Sequence, residues 1–203
     1  WGYNFYGQLG DGTTLDRLTP TAVSGLTDAV ELAAGGYNNA CARRTSGAVV
    51  CWGRNECGQL GEGTTTDRLT PTAVSGLVDA VELTAGAYFN CARRSSGAVV
   101  CWGSNGLGSF GNGVVYSPNT TPTPAFAGLT NAVELSAGYS HMCARSSSAA
   151  ALCSGRNNDG QLGDGTTANR LTPTPVSGLT DAVELSSGGW HTCARRGSGA
   201  LVC

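Results

Sequence analysis

The sequence predicts an all-β protein made of four consecutive units of about 50 residues each. Glycine accounts for 31 of the 203 residues and charged residues for only 13%, a composition typical of turn-rich sheets. Short runs alternate between apolar and polar residues, and no apolar pattern of helical period is present. Cysteines recur in pairs ten residues apart, and the second cysteine of successive pairs is 50 to 52 residues further on. These observations together favour a repeat architecture.

The second cysteine of each pair sets the unit boundaries. We expect repeats, each one a blade, at 1–51, 52–101, 102–153 and 154–203. The first three begin with Trp-Gly, whereas the fourth begins with Ser154-Gly155. The third is the most divergent, and in its hairpin Ala149 stands where the other units have glycine. Alanine in a left-handed backbone position costs about 1 kcal/mol relative to glycine, so this turn is expected to differ in type or to be less stable.

Each unit opens with a glycine-rich loop, which reads Gly-Gln-Leu-Gly-Asp/Glu-Gly in units one, two and four. A phosphate-binding role is disfavoured, because no Lys-Ser/Thr follows and no helix starts there. Asp11, Glu62 and Asp164 supply one carboxylate per loop, too few for a calcium site. We expect turn geometry around one buried leucine.

Two extended segments follow the loop. The Thr/Pro segment, 17–23 in unit one, contains a proline that suits an edge strand or a strand entry. The Ala-Val-Glu-Leu segment, 29–32 in unit one, alternates as a strand does, with Val and Glu on opposite faces. Together with a terminal hairpin these segments give four strands per unit, which is the content of one propeller blade.

A cysteine-bounded β-hairpin ends each unit. Placing Cys41 opposite Cys51 leaves Thr45-Ser46-Gly47 as a three-residue turn, with glycine where a left-handed backbone is needed. Directly opposed Cβ atoms lie about 4.5–5.5 Å apart, within reach of a disulfide after local twist. We therefore expect the disulfides Cys41–Cys51, Cys91–Cys101, Cys143–Cys153 and Cys193–Cys203.

Zinc binding is the competing interpretation of these cysteines. CxxC pairs with interleaved histidines are missing, so disulfides are favoured and no metal is expected. Four equally spaced pairs are typical of an oxidising compartment, which predicts a secreted protein, extracellular or at the cell surface. The ninth cysteine, Cys57, is left for an interchain disulfide or for an unpaired or otherwise partnered thiol.

The charge pattern restricts the partners. The net charge is −2, which argues against a general attraction to nucleic acid or to an anionic membrane, and no apolar run is long enough for membrane insertion. Neighbouring strand residues point to opposite faces, so one arginine of each hairpin pair can meet the unit's glutamate while the other is free for an acidic partner. Solvated or intra-blade pairing of the arginines is the favoured interpretation, because such ion pairs require no partner. The candidate partner-binding residues are Arg43, Arg44, Arg93, Arg94, Arg195 and Arg196.

No catalytic arrangement accompanies the two histidines. His141 and His191 lie two residues before a hairpin cysteine, where the other units have Asn39 and Phe89. This variation indicates a packing position. We expect no enzyme activity and no cofactor.

The motifs resemble the RCC1-like repeat family, named for the regulator of chromosome condensation, over all 203 residues. The matching stretches are the glycine loop, the Val-x-Leu-x-Ala/Ser-Gly turn at 30–35, the Gly-x-x-His-x-Cys-Ala run at 138–144 and Val-x-Cys-Trp-Gly at 49–53. The paired cysteines are expected to mark an exported, bacterial-type variant. The resemblance implies β-propeller blades, usually seven in that family, so four repeats imply part of a larger closed propeller or an open repeat assembly.

The expected function is that of a non-enzymatic extracellular scaffold whose loops bind other proteins. The alternative is a structural subunit of an extracellular filament or surface assembly, built by head-to-tail repeat contacts. Unmatched blade edges favour this alternative, because contacts that do not close into a ring generate open fibres. The partner is accordingly another protein or a second copy of the chain.

Overall fold

The computed structural model describes residues 1–203 and consists of strands and turns without any helix, so it has no helical membrane span. Fifteen strands form four antiparallel sheets in chain order, which confirms the all-β class and the blade-like units. The sheets are β1 Ala29–Gly35, β2 Asn39–Arg44, β3 Val49–Gly53 and β4 Arg68–Ala73; β5 Ala80–Ala85, β6 Phe89–Arg94, β7 Val99–Gly103 and β8 Asn119–Ala125; β9 Ala132–Ala137, β10 His141–Ser146, β11 Ala151–Gly155 and β12 Arg170–Pro175; and β13 Ala182–Ser187, β14 Thr192–Arg196 and β15 Leu201–Val202.

The hairpin in the middle of each sheet has the register expected from its cysteines. Cys41 lies opposite Cys51, and the chain turns at Gly47, whose φ is +83°. Ala149 adopts the same left-handed conformation with φ +64°, so the third hairpin keeps the turn of the others at the steric cost of a Cβ atom. Each hairpin is closed by a disulfide: Cys41–Cys51, Cys91–Cys101, Cys143–Cys153 and Cys193–Cys203, with Cα atoms 4.0 to 4.1 Å apart.

Each complete sheet combines residues from two successive sequence repeats. The Thr/Pro strand β4 pairs with β3 of the preceding hairpin, and β8 and β12 pair in the same way. The sequence interpretation instead joined this strand to the hairpin that follows it. The glycine loop brings the chain straight back along β3, so the strand completes the sheet it has just left. The sheets, 29–73, 80–125, 132–175 and 182–202, are therefore offset from the repeats 1–51, 52–101, 102–153 and 154–203.

This offset leaves incomplete sheets at both ends of the array. The first Thr/Pro segment joins none of the four sheets, and an isolated bridge links Gly2 and Arg17. The last sheet has three strands and lacks the fourth that β4, β8 and β12 supply elsewhere. Both ends consequently expose strand edges and apolar side chains.

The cores lie between neighbouring sheets. The first strands of successive sheets, β1, β5, β9 and β13, contact one another, so the sheets radiate from a common side like propeller blades. Trp102 of the second sheet is fully buried against the glycine loop of the first, where Gly61 leaves room for the indole. The Trp102 Nε1 donates a 2.9 Å hydrogen bond to the Gln59 carbonyl.

Packing explains the divergence of the third unit. Ser154 takes the place of the tryptophan and donates to the Ser109 carbonyl at 2.9 Å. The lost indole volume is filled by Phe110 and Phe126, both fully buried, at the positions of Leu60 and Val74 in the second unit. The three substitutions thus exchange one large side chain for two medium ones within the same core layer.

Candidate protein-interaction surface

A buried asparagine organises each glycine loop, and the sequence reasoning missed it. Asn55 accepts a 2.9 Å hydrogen bond from the Leu60 backbone on Oδ1, while its Nδ2 donates to the Thr64 and Thr66 carbonyls. The signal was available, because every unit reads Trp/Ser-Gly-x-Asn, at Asn4, Asn55, Asn105 and Asn157. Since both ends of a buried amide are satisfied, the loop is a fixed support.

The carboxylates of the glycine loops form hydrogen bonds and ion pairs with nearby residues of the same repeat. Asp164 accepts 2.6 Å and 2.8 Å hydrogen bonds from Arg170 Nε and Thr166 Oγ1. Burial raises its pKa, but the hydrogen bonds from Arg170 and Thr166 outweigh burial and lower the pKa to about 2. Asp11 and Glu62 occupy the same position, pairing with Arg17 and Arg68. No three His, Cys, Asp or Glu side chains gather as a metal site requires.

All the arginines form intramolecular ion pairs. Arg93 Nε lies 2.6 Å from Glu82, as expected, but Arg94 also pairs, at 2.8 Å from Asp79. Intra-blade pairing, part of the interpretation that the sequence favoured, therefore describes both arginines of each pair, and the alternative of a free arginine does not hold, since Asp28, Asp79 and Asp181 hold Arg44, Arg94 and Arg196. Partner binding by Arg43, Arg44, Arg93, Arg94, Arg195 and Arg196 stays a prediction, and a partner would compete with these pairs.

The strand glutamate links neighbouring sheets. Glu82 binds Arg93 of its own sheet with Oε2, and its Oε1 accepts a 2.8 Å hydrogen bond from the Leu135 backbone of the next sheet. Glu31 and Glu134 repeat the contact to Leu83 and Leu185. Glu184 has no following sheet and its side chain is 59% exposed. The same carboxylate thus ties a hairpin to its neighbour at every internal junction.

The two histidines occupy different environments. His141 is fully buried, with Nε2 2.9 Å from Thr192 Oγ1 of the next sheet and Nδ1 without a partner. Burial, together with a smaller effect of nearby His191, lowers its pKa to about 4. His191 lies at the open end and is exposed. A neutral histidine packed against a threonine fits the structural role expected from the sequence.

Cys57 is the free cysteine and lies half-buried at the edge of a glycine loop. Its backbone donates a 2.9 Å hydrogen bond to Gln59 Oε1. Burial raises the pKa of the thiol, and Glu56 raises it further, so the reactive thiolate is scarce near neutrality. Its fate, an interchain bond or a free thiol, stays a prediction.

An exposed cluster of aromatic rings lies at the turns between the first two strands of the sheets. We call these four residues, one from each sheet, the aromatic arc: Tyr37, Tyr88, Tyr139 and Trp190. Tyr37 stacks on Tyr88 with centroids 4.3 Å apart and meets the edge of Tyr139 at 6.2 Å. Tyr139 in turn contacts Trp190 edge to face at 5.1 Å. The rings therefore form one continuous surface across the array.

Backbone hydrogen bonds fix the turns that carry the arc. Gly36 donates to the Gly86 carbonyl, Ala87 to the Tyr139 carbonyl and Tyr139 to the Gly189 carbonyl, at 3.1 to 3.2 Å. Arg156 lies 4.2 Å from the Trp190 ring centroid, and its terminal nitrogen pairs with Asp159. The arc is thus rigid, while Tyr37, Tyr139 and Trp190 remain 37%, 38% and 44% exposed.

The repeat model described as regulator of chromosome condensation (RCC1) repeat matches residues 1–42, 46–93 and 151–195, and a second model of that description matches 30–59, 80–109 and 132–161. Among curated relatives, the human probable E3 ubiquitin-protein ligase HERC4 is 34% identical over 87% of this chain, which spans only 17% of that protein.

Two solved structures share the fold. Human WBSCR16 superposes with a TM-score of 0.84 at 18% identity, over 98% of this chain and 54% of its own. Prp20p from Saccharomyces cerevisiae superposes with a TM-score of 0.85 at 24% identity, over 100% of this chain and 51% of its own. The chain therefore spans about half of each solved structure. With most of its residues matched by the repeat model, the chain belongs to the regulator of chromosome condensation (RCC1) repeat family.

Proposed function

We propose that this chain is a non-enzymatic extracellular scaffold that binds other proteins through its aromatic arc. RCC1-like repeat proteins mediate protein interactions, and the solved Prp20p structure is described together with its binding to Gsp1p and histones. The observation that carries the proposal is a contiguous, half-exposed aromatic surface held on a hydrogen-bonded backbone. Tyrosine and tryptophan dominate the energetics of protein interfaces, because rigid rings bury large areas at low entropic cost.

The internal pairing of the arginines also favours the aromatic arc as the binding surface. All 12 arginines are paired within the chain, so recognition through an arginine would first break an internal ion pair. An apolar aromatic surface has no such competition. Arg156 lies against the Trp190 ring and supplies a polar group at the rim of the arc.

The extracellular location rests on the cysteines. Four pairs lie at disulfide distance, which favours an oxidising environment. The location is tested by counting thiols in the unreduced native protein under denaturing conditions. One reactive thiol per chain, from Cys57, agrees with secretion; nine would place the chain in a reducing compartment.

A second candidate function is that of a structural subunit of an extracellular filament or surface assembly. Successive sheets already contact one another head to tail, with Glu31, Glu82 and Glu134 each bonded to the next sheet. The same kind of contact between copies would build a filament if it does not close into a ring, whereas a binding scaffold would use the arc.

A comparison of two triple variants tests the proposed binding surface. The arc variant Y37S/Y139S/W190S removes three partly exposed rings, and the control V114S/V115S/Y116S removes three more exposed apolar side chains from the divergent third loop. Immobilised wild-type chain is incubated with extracellular protein fractions, and retained proteins are identified by mass spectrometry. We expect a set of proteins retained by wild type and by the control but lost from the arc variant.

Retention that survives in the arc variant and disappears in the loop control would move the binding site to residues 114–116. Retention that neither variant changes would contradict both surfaces. The thermal unfolding of both variants is measured alongside, because exposed serine substitutions are expected to alter stability little.

A further inference from the structure

A small cleft opens within the aromatic arc, where the second sheet (β5–β8) meets the third (β9–β12). It is lined by Tyr88 and Tyr139 of the arc and by the serines Ser104, Ser109 and Ser140. Its volume is about 80 Å³, which suits one side chain of a partner rather than a whole small molecule. We call it the serine cleft.

The serine cleft exists because the third unit has small residues where its neighbours have large ones. Ser104, Ser109 and Ser140 stand at the positions of an arginine, a glutamine and an aromatic residue in units two and four: Arg54 and Arg156, Gln59 and Gln161, Tyr88 and Trp190. In unit four the first and last of these pack together, since Arg156 lies 4.2 Å from the Trp190 ring centroid. In unit three both members of that pair are serines, so the space between them is open.

The polar groups of the serine cleft have no partner within the chain. In unit two Gln59 Oε1 accepts a 2.9 Å hydrogen bond from the Cys57 backbone, and Gln161 repeats the contact in unit four at 2.9 Å. Ser109 has no carboxamide with which to do so, and the equivalent N–H, that of Leu107, donates no hydrogen bond. The three serine hydroxyls likewise form none. The cleft therefore offers one N–H donor and three hydroxyls to a ligand.

This set of groups matches a neutral carboxamide. A carboxamide oxygen can accept from the Leu107 N–H, as a glutamine oxygen does in the flanking loops, and its NH2 group can donate to serine hydroxyls. No charged side chain lines the cleft, so a carboxylate or a guanidinium would be buried without a counter-charge. An aliphatic side chain would leave the hydroxyls and the N–H desolvated and unpaired.

We infer that the serine cleft binds a glutamine side chain of the partner protein, in the position that Gln59 and Gln161 fill in the flanking loops. This inference rests on the proposed function of the aromatic arc and names the chemical group that the arc recognises. The rings of Tyr88 and Tyr139 lie at the cleft and provide the apolar contact area, while the carboxamide fixes the partner's position. Anchors of this kind, seated in a small pocket at the centre of a contact surface, dominate binding energy.

A titration with a free glutamine derivative tests the cleft without any captured protein. The oxidised, 15N-labelled chain is titrated with N-acetylglutamine methylamide, and amide resonances are followed by NMR. We expect a saturable shift that is largest for the Leu107 N–H. The glutamate and norleucine analogues of the probe are expected to bind about tenfold more weakly, because the first buries a charge and the second forms no hydrogen bond. Equal binding of the norleucine analogue would overturn the assignment.

Substitutions that fill the cleft from within provide the second test. Ser109→Gln places the chain's own carboxamide as in units two and four, and should abolish the shift at Leu107. Ser104→Arg restores the arginine of those units and should also block the probe, which keeps the test valid if Ser109→Gln lowers the thermal midpoint. The control Ser95→Gln changes an exposed serine in a hairpin turn and should leave binding unchanged.

The outcomes separate this inference from the proposed function of the arc. No localised shift in the wild-type chain, or binding that survives both Ser109→Gln and Ser104→Arg, would overturn the serine cleft. Proteins retained through the arc by a chain that does not respond to the probe would also overturn the cleft and leave the arc standing. A response to the probe by a chain that retains no protein would support the cleft and contradict the arc.

Discussion

At the scale of single residues, buried polar groups show how the repeats tolerate variation. The position two residues before each hairpin cysteine holds Asn39, Phe89, His141 or His191, and a glycine in the preceding turn leaves room for the side chain. In the third unit this places an imidazole in a fully buried layer between two sheets. The consequence is a pH-sensitive group in a chain that otherwise has little charge in its core.

The stability of the array should fall between pH 7 and pH 5 because of His141. Its pKa is about 4 in the folded state, below the ordinary 6.5, so the unfolded chain binds the proton first. The contribution of His141 is fully present above about pH 6.5 and is lost as the pH falls toward 4, amounting to about 2 kcal/mol between pH 7 and 5. Urea unfolding across this range measures it.

His141→Asn, the residue of the first unit, should remove most of this pH dependence. His191→Asn is the matched control, because His191 is exposed and its replacement should leave the slope as in wild type. Equal slopes for wild type and His141→Asn would contradict the buried neutral imidazole.

At the scale of elements, the hairpin could be predicted from the sequence, whereas the strands and ion pairs next to the hairpin could be predicted only in part. The opposed cysteines and a glycine in the turn define the register locally, and the structure has that register. The partner of the Thr/Pro strand depends on which way the glycine loop returns, a question that spacing alone does not answer. The pairing of Arg94 with Asp79 was missed because the aspartate lies in the turn before the strand, outside the Val-Glu-Leu motif.

Removing one disulfide at a time should separate the contribution of chain entropy to the free energy of unfolding from the contribution of packing. Cys91→Ala/Cys101→Ala and Cys193→Ala/Cys203→Ala open loops of the same length, so the loop-entropy model assigns each a loss of about 2–3 kcal/mol. The first pair is fully buried between sheets, whereas Cys203 is exposed. We therefore expect the larger loss of unfolding free energy for the internal pair, and an equal or smaller loss would contradict its packing role.

The glutamate that links neighbouring sheets can be tested with a second pair of matched variants. Glu82→Ala leaves Arg93 unpaired and the Leu135 N–H without its acceptor, which should cost about 1–3 kcal/mol. Glu184→Ala removes the same residue type where no next sheet follows and should change stability by less than about 0.5 kcal/mol. Urea unfolding of both, compared at a protein concentration where the chain is a single copy, measures the difference.

At the scale of the whole molecule, the array of sheets creates one surface, the aromatic arc, that no single sheet contains. The aromatic arc arises because every sheet places one aromatic residue in the same turn, and backbone hydrogen bonds join those turns. The four rings do not share one spacing from the hairpin cysteine, since Tyr37 and Tyr139 precede it by four residues and Tyr88 and Trp190 by three. Its continuity therefore emerged only from the spatial arrangement of the sheets.

Hydroxyl-radical footprinting of the chain, with and without a captured protein partner, measures whether the aromatic arc is the binding surface. We expect the oxidation of Tyr37, Tyr139 and Trp190 to fall in the complex, while Tyr116, which is 63% exposed in the third loop, is labelled as before. Unchanged oxidation of the arc together with protection elsewhere would show that partners bind another surface, and the proposed function of the arc would be wrong.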